Sequence, residues 1–531
     1  MPPTTTHRRS PREFRPTLAE RSAGILLHPT SLPGPDGCGD LGAAAHEFAD
    51  FLHAAGVRWW QMLPIGPPAR SGSPYSAFSA FAGSPLLISV DALRADGLLT
   101  SDERVVARRD GAGRVRYHEV AAARDRLLRL AFSRFGASRV VRRTDFDAFV
   151  ERERGWLDDY ALFAALRRAN RGRAWFTWPP PIRRRVRAAL RTARAALQDT
   201  IAFEQFVQYV FDRQWKALQR HCRSRDVALL GDIPIFVGHD SADVWAHQDL
   251  FTLDRDGRTT LQSGVPPDDF SATGQLWSHP LYRWAAHRRD DFAWWVARFA
   301  KLTEQFDGAR IDHFLGFVRC WAAPGRARVA THGKWLPTPG AELIAAVRSR
   351  LGAIEIIAED LGLLTRAAAA LRDALGFPGM RVLQFAFGAG SRYHQPHSYP
   401  HHCAVYTGTH DNDTLVGWFE SLKTRNARRR GAGRRVESWN DQLEHERVLR
   451  YAESDGSEIH WDLIRLALAS PANTAIIPAQ DLLGLDSTAR MNRPATVRGN
   501  WSWRLAPGAL TPAIAARLRK LNETFDRVRD R

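Results

Sequence analysis

Short, nearly unbroken apolar runs recur along the chain, each closing on glycine, proline or charged residues, and between them the apolar positions switch to helical spacing. The runs lie at 24–29, 59–65, 227–237, 308–314, 354–360, 381–387, 404–411 and 473–481. Runs of this length that are apolar on both faces read as strands of a parallel sheet, which is covered on both sides. Phe48, Phe51, Leu52 and Ala55, followed by Gly56, mark one intervening helix. Thr511 and Pro512, with Ile514, Leu518, Leu521, Phe525 and Val528 along one face, mark the last. Strand, helix, strand in series predicts right-handed βαβ units. Eight such runs predict an α/β fold, a closed (β/α)8 TIM barrel over 21–531 with large helical and loop insertions.

Two stretches interrupt the series. Residues 91–226 turn Arg- and Ala-rich with helical periodicity, broken at Trp175-Phe176-Thr177-Trp178-Pro179-Pro180-Pro181, and predict a helical subdomain inserted in the barrel. Residues 238–300 hold Gly264-Val265-Pro266-Pro267-Asp268 and Gly274-Gln275-Leu276-Trp277. They predict an inserted loop and helical segment covering the site, because loops this long in a compact protein are usually functional. Residues 1–20 are polar and predict a disordered tail; the arginine-rich stretch 425–435 predicts an exposed loop.

Apolar runs end in acids at Asp312, then at Glu359-Asp360, then at Asp411 with Asp413. A carboxylate inside a doubly covered strand would need a partner, whereas one at the carboxyl end faces the mouth where barrel enzymes keep their sites. Arg310 stands two residues before Asp312, on the same face of the strand, and can hold that carboxylate ionised and oriented. An ordinary ion pair is the other reading of this pattern.

The net charge of +18 adds a second class of function to weigh. It comes almost wholly from arginine, in helical stretches and in short runs such as Arg183-Arg184-Arg185 and Arg428-Arg429-Arg430. Solvated helix faces account for it; a nucleic-acid-binding protein on a barrel scaffold is the alternative. Cys38, Cys222, Cys320 and Cys403 are scattered without metal-ligand spacing, which predicts neither a metal site nor a disulfide framework and fits a reducing cytoplasm. No apolar run approaches the roughly 18 residues of a membrane span, and the N-terminal stretch lacks the apolar core of a secretory signal.

The segments GILLHPTSLPGPDGCGDLG, SPYSAFSAFAGSP, GDIPIFV, DSADVWAHQDLF, GVPPDDFSATGQLW, RIDHFLGF, IIAEDLG, GMRVLQFAFG, YTGTHDNDTLVGWF and ARMN with GNWSWR, in this order, resemble the 4-α-glucanotransferases. These are the amylomaltases and plant disproportionating enzymes, glycoside hydrolase family 77 of the α-amylase clan. The resemblance implies that Asp312 is the nucleophile, Glu359 the general acid/base and Asp411 a third carboxylate that holds sugar hydroxyls. It places Arg310 beside the nucleophile and Tyr75, Asp232 and His410 around the donor sugar, with Asp268 and Trp277 on a flexible segment covering donor and acceptor sites. It implies no metal and no organic cofactor. The implied reaction moves segments of α-1,4-glucan, derived from starch or glycogen, between maltooligosaccharides by a retaining double displacement. A hydrolase of the same clan, with a site open to water, is the nearest alternative. The expected partners are therefore maltooligosaccharides and related glucans, with no nucleic acid and no membrane, and the expected state is a monomer or weak oligomer.

Trp277 and Tyr75, inside motif loops, are candidate platforms for acceptor sugars; Trp59 is a third, for which a place in the core is the favoured reading, and His313 is expected to be structural. The chain departs from the family pattern at Asp269, where tyrosine is usual, at Ser278-His279, where Gly-Asn is common, and at Ser84-Pro85-Leu86, where Asn-Pro-Tyr is usual.

Overall fold

The eight apolar runs become the eight strands of a closed parallel barrel. The computed structural model describes residues 14, 16–34, 36–69, 72–104, 113–136, 140–267, 271–362, 365–388, 391–431, 443–494, 496 and 498–528. Its strands are β1 (Ser22–Leu26), β2 (Trp59–Gln61), β3 (Ala228–Ile233), β4 (Leu261–Val265), β5 (Gln275–Pro280), β6 (Gly308–Ile311), β7 (Arg319–Pro324), β8 (Lys334–Pro337), β9 (Ile356–Ala358), β10 (Gly379–Val382), β11 (Cys403–Tyr406) and β12 (Thr474–Pro478). Around the barrel the order is β1-β12-β11-β10-β9-β6-β3-β2. The paired segments are shorter than the apolar runs because the chain leaves the ladder at the mouth while still buried. After β10, for example, Leu383–Phe385 is a 3-10 turn whose Leu383 and Gln384 remain buried.

Register sets the mouth. Asp232 of β3 lies opposite Arg310 of β6, and Ile311 lies opposite Ala358 of β9. The ladder continues one step further: the Asp312 N–H donates to Ile233 O at 3.1 Å, and the Glu359 N–H to Ile311 O at 3.0 Å. A slip of one residue would turn these side chains away from the mouth.

Between β2 and β3 the long helices Tyr117–Phe135, Arg143–Ala169 and Gln198–Ser224 pack beside the barrel. Two buried glutamines pin the last of them. Gln208 exchanges hydrogen bonds with both backbone groups of Gly83, at 2.8 and 3.0 Å, and Gln214 does the same with Ser89, at 2.7 and 3.1 Å. Each amide thus satisfies a stretch of loop backbone that has no strand partner.

Three expectations change. The loop expected within 238–300 contains the hairpin β4–β5, and β7 and β8, which follow the Asp312 turn, extend it into an antiparallel sheet of order β5-β4-β7-β8. Short and of mixed composition, these strands lack the apolar alternation that marks a strand in sequence. The stretch expected as an exposed loop over 425–435 continues the helix Leu415–Gly431, and the residues from 432 lie outside the described ones. Arginine is a good helix former, so a run of charge does not end a helix. Within the expected tail, Leu18 is already buried, and its N–H donates to Glu355 Oε2 at 2.8 Å. Residues 1–13 and 15 lie outside the described residues.

The aromatic core takes Trp59, which is fully buried and donates its indole N–H to Ser22 Oγ at 3.2 Å. It is therefore not a sugar platform. Gly24 makes room for it, since a Cβ there would come within 2.9 Å of Trp59 Cβ and 2.4 Å of Ile476 Cδ1. The four cysteines are free and buried, and burial pushes each thiol up to about 12.

Arg527 closes the seam beneath β1 and β12. Buried at 1% exposure, it donates to the carbonyls of Leu468, Ser22, Asn473, Ser470 and Ala472 at 2.7 to 3.2 Å. Arg527→Met would strand these acceptors and should destabilise the fold by about 3 kcal/mol or more. Thermal unfolding checks this; an unchanged melting temperature would refute the assignment.

Candidate active site

At the carboxyl ends of β3, β6 and β11 one continuous polar chain crosses the mouth. Arg310 Nη2 donates to Asp312 Oδ1 at 2.7 Å and Nη1 to Asp232 Oδ2 at 2.6 Å. The Tyr75 hydroxyl donates to the same Asp232 oxygen at 2.8 Å and lies 3.4 Å from His410 Nδ1. His410 Nε2 is 3.4 Å from Asp411 Oδ1, which accepts from Asn492 Nδ2 at 2.6 Å. The rings of Tyr75 and His410 stack with centroids 5.1 Å apart, and Trp501 leans on both at 5.7 and 5.8 Å.

The electrostatics follow from burial. Taking the Arg310 guanidinium out of water opposes its charge, yet the Asp232 and Asp312 carboxylates hold it protonated well above its ordinary range. Burial, opposed by Arg310 and reinforced by Asp312, pushes Asp232 up to about 7. His410 is lowered by burial against the pull of Asp411.

Glu359 stands next to this chain and is held differently. Its Oε2 accepts from the His313 N–H at 2.7 Å and its Oε1 from the Leu361 N–H at 3.0 Å. His313 presents its N–H from a left-handed backbone, φ 51°, directly after Asp312. Burial raises Glu359 to about 7; Arg310 opposes the shift and Asp312 adds to it. The two strand-end acids thus differ in kind, one bonded to a guanidinium and the other close to its proton at neutral pH.

The covering sheet reaches down to them. Trp277 of β5 sets its ring edge-on to His313, centroids 4.9 Å apart, and tilts against Phe236 at 6.2 Å. Ser278, where the family commonly has glycine, takes a left-handed φ of 60°. His279 follows this bulge in the β4–β5 pairing, and burial lowers it to about 4 although Asp312 pulls the other way. Asp268 and Asp269 lie outside the described residues. Tyr75, Asp232, Arg310, Asp312, Glu359, His410, Asp411 and Trp277 are therefore gathered at one mouth.

Sequence reading misses the braces of the Asp411 loop. Asp481, in the short helix Ala479–Leu482 that follows β12, is buried; its Oδ2 accepts from Thr407 Oγ1 at 2.7 Å and its Oδ1 from the Leu415 N–H at 2.8 Å. It thus clasps both ends of the loop that carries His410 and Asp411. Arg490 adds a bond to the Asp411 carbonyl at 2.6 Å, and Ser487 one to Asp413 Oδ2 at 2.8 Å. Asp481 closes an apolar run as Asp312 does; only its distant partners distinguish it. His313, expected to be merely structural, holds Glu359 through its backbone.

Among the described residues no group of three or more His, Cys, Asp or Glu could hold a metal ion, and no helix is long and apolar enough to cross a membrane. The run Arg183-Arg184-Arg185 is paired, the first two with Asp256 and the third with Asp159.

The model of glycoside hydrolase family 77, described as 4-alpha-glucanotransferase, matches residues 27–511. A 4-alpha-glucanotransferase of Thermus thermophilus is 44% identical over 512 residues, covering 96% of this chain and 99% of that protein. A chloroplastic/amyloplastic 4-alpha-glucanotransferase of Solanum tuberosum is 42% identical over 511 residues, covering 95% of this chain and 85% of that protein. Among solved structures, an amylomaltase from Streptococcus agalactiae in complex with acarbose superposes with a TM-score of 0.89 at 35% identity, covering 96% of this chain and 100% of that one.

Asp481 is raised by burial to about 7, above its unfolded value of 3.8. The stability that its protonated form contributes is full below about pH 4 and is lost as pH rises through 7. Asp481→Asn, neutral at every pH, should therefore cost more melting temperature at pH 4 to 5 than at pH 8. A deficit that grows with pH would refute this account.

Proposed function

The chain belongs to the 4-α-glucanotransferase family, and on that premise we propose a retaining double displacement in which Asp312 is the nucleophile and Glu359 the general acid and then base. The carrying observation is the contrast between the two acids: Arg310 donates to Asp312 at 2.7 Å, while Glu359, partly buried, is raised to about 7. In the first half, Glu359 gives its proton to the bridging oxygen as Asp312 attacks the anomeric carbon, and the leaving glucan departs with a free 4-hydroxyl. In the second, Glu359 takes the proton of an incoming 4-hydroxyl, the new glucosidic bond forms, and Asp312 is released. Two inversions retain configuration. Asp411, steadied by Asn492 and His410, holds hydroxyls of the donor sugar, and Tyr75 and Asp232 line the same subsite.

Transfer prevails over hydrolysis when an acceptor sugar is held better than water. The sheet above the mouth supplies the cover, with Trp277 as the acceptor-side platform and Asp268 assigned to it by its place between β4 and β5. Maltooligosaccharides and other α-1,4-glucans are the proposed substrates; the similar amylomaltase structure, in complex with acarbose, supports a saccharide-binding mouth. The ion pairs of the 183–185 run speak against the nucleic-acid reading. Four free, buried thiols support a reducing cytoplasm, and a monomer or weak oligomer is the proposed state.

Incubation with maltotriose should yield glucose and longer oligomers at a constant number of reducing ends. A steady rise in reducing ends would replace transferase by hydrolase. Asp312→Asn and Glu359→Gln should each keep the circular dichroism of the wild type and lower turnover by about 10²–10⁴-fold; near-normal rates in either would mean that the roles are misassigned. Because Glu359 must be protonated for the first step, kcat/KM should fall as pH rises through about 7. A rate level up to pH 9 would exclude Glu359 as the acid.

A further inference from the structure

The loop between β10 and β11 opens from the same mouth, between the strand ends that lead to Glu359 and to Asp411. The Asp411 loop holds its start, and Asp360, beyond β9, holds the strand that leads into it. Gln384 Nε2 donates to the Asp413 carbonyl at 2.7 Å, and the Asp360 carboxylate accepts from the Met380 N–H at 2.7 Å and from Arg372. Asp360 and Arg381 both act electrostatically on His394, in the turn Ser391–His394. The rim here is therefore continuous with the carboxylate centre.

This loop carries an unusual surface. Among the described residues the exposed large hydrophobic side chains are three valines, Phe385 and Tyr393, so both exposed aromatics fall in this one loop, at 36% and 47% exposure. Every other described phenylalanine, tyrosine and tryptophan is buried or partly buried. His394 joins the pair, edge-on to Phe385 at 5.6 Å and to Tyr393 at 5.3 Å. Arg381, buried and donating to the Met380 carbonyl at 2.7 Å, sets its guanidinium 3.9 Å from the Tyr393 ring centroid. A cation under one face fixes the ring in place while leaving much of it in water. An apolar surface kept exposed and rigid beside a functional mouth marks a binding site.

We infer that Tyr393 is an outer sugar platform, on which a glucose residue of a long α-1,4-glucan stacks beyond the carboxylate centre. The flat C–H face of a pyranose matches an aromatic ring, and its hydroxyls stay in water at the rim. The inference rests on the glucan-transfer reading above. It goes further in making affinity depend on chain length: a short oligosaccharide fills the centre, and only a longer one reaches the platform.

The test uses the full chain with Asp312→Asn, which binds without turning over, and calorimetric titration with maltotriose and maltoheptaose. Adding Tyr393→Ala should weaken maltoheptaose binding about 5- to 20-fold and change maltotriose binding by less than about 2-fold. Tyr393→Trp should restore the loss; Tyr393→Leu, apolar but not flat, should not. Equal maltoheptaose affinity with and without Tyr393, or full rescue by leucine, overturns the platform. Wild-type disproportionation of maltotriose is measured alongside. Its absence, with no saccharide bound by Asp312→Asn, would sink the glucan-transfer reading itself, whereas normal transfer with no effect at Tyr393 would sink the platform alone.

Discussion

A single buried guanidinium, that of Arg310, holds the mouth of this barrel in order. It is shared between Asp232 on the neighbouring strand and Asp312 just beyond its own, at 2.6 and 2.7 Å. A buried charge survives only when paired and hydrogen-bonded, so the parallel register that sets Asp232 opposite Arg310 is a condition of the site as well as of the sheet. One cation cannot neutralise every carboxylate around it. Burial therefore raises Asp232 and Glu359 toward neutrality, and the proton that the reaction needs is retained by the same scarcity of positive charge.

The covering sheet shows how two separate excursions from a barrel can serve one site. β4 and β5 leave from the end of β3, and β7 and β8 from the end of β6, which is also the strand that delivers Asp312. Pairing of β4 with β7 fastens the cover to the chain segment directly after the Asp312 turn. A displacement of the cover is in this way coupled mechanically to the backbone that presents Asp312 and, through the His313 N–H, Glu359.

Much of this was legible in the sequence, for identifiable reasons. The eight strands could be read because both faces of a parallel strand are apolar, and Arg310 and Asp312 could be paired because residues two apart share a face. Tyr75, Asp232 and His410 emerged through the family resemblance alone; nothing local to a tyrosine at 75 says that it will donate to an aspartate at 232. Asp481 and Asn492 escaped because their partners, at 407, 415 and 411, are set by the closing of the barrel. The hairpin β4–β5 escaped because neither of its strands shows a clean apolar alternation, whereas Trp59, weighed between core and platform with core favoured, is core.

The order in which the parts occur along the chain has a consequence for synthesis. β1, made first, pairs with β12, made last, and the loop bearing Asp411 is braced from residues 481 to 492. Until those residues leave the ribosome, β1 and β11 are open sheet edges, the state in which strands recruit wrong partners. A nascent or prematurely terminated chain therefore presents a sticky, unfinished barrel with its third carboxylate unsupported. Closure waits on the stretch from β12 through Asn492, which turns an aggregation hazard into a closed barrel.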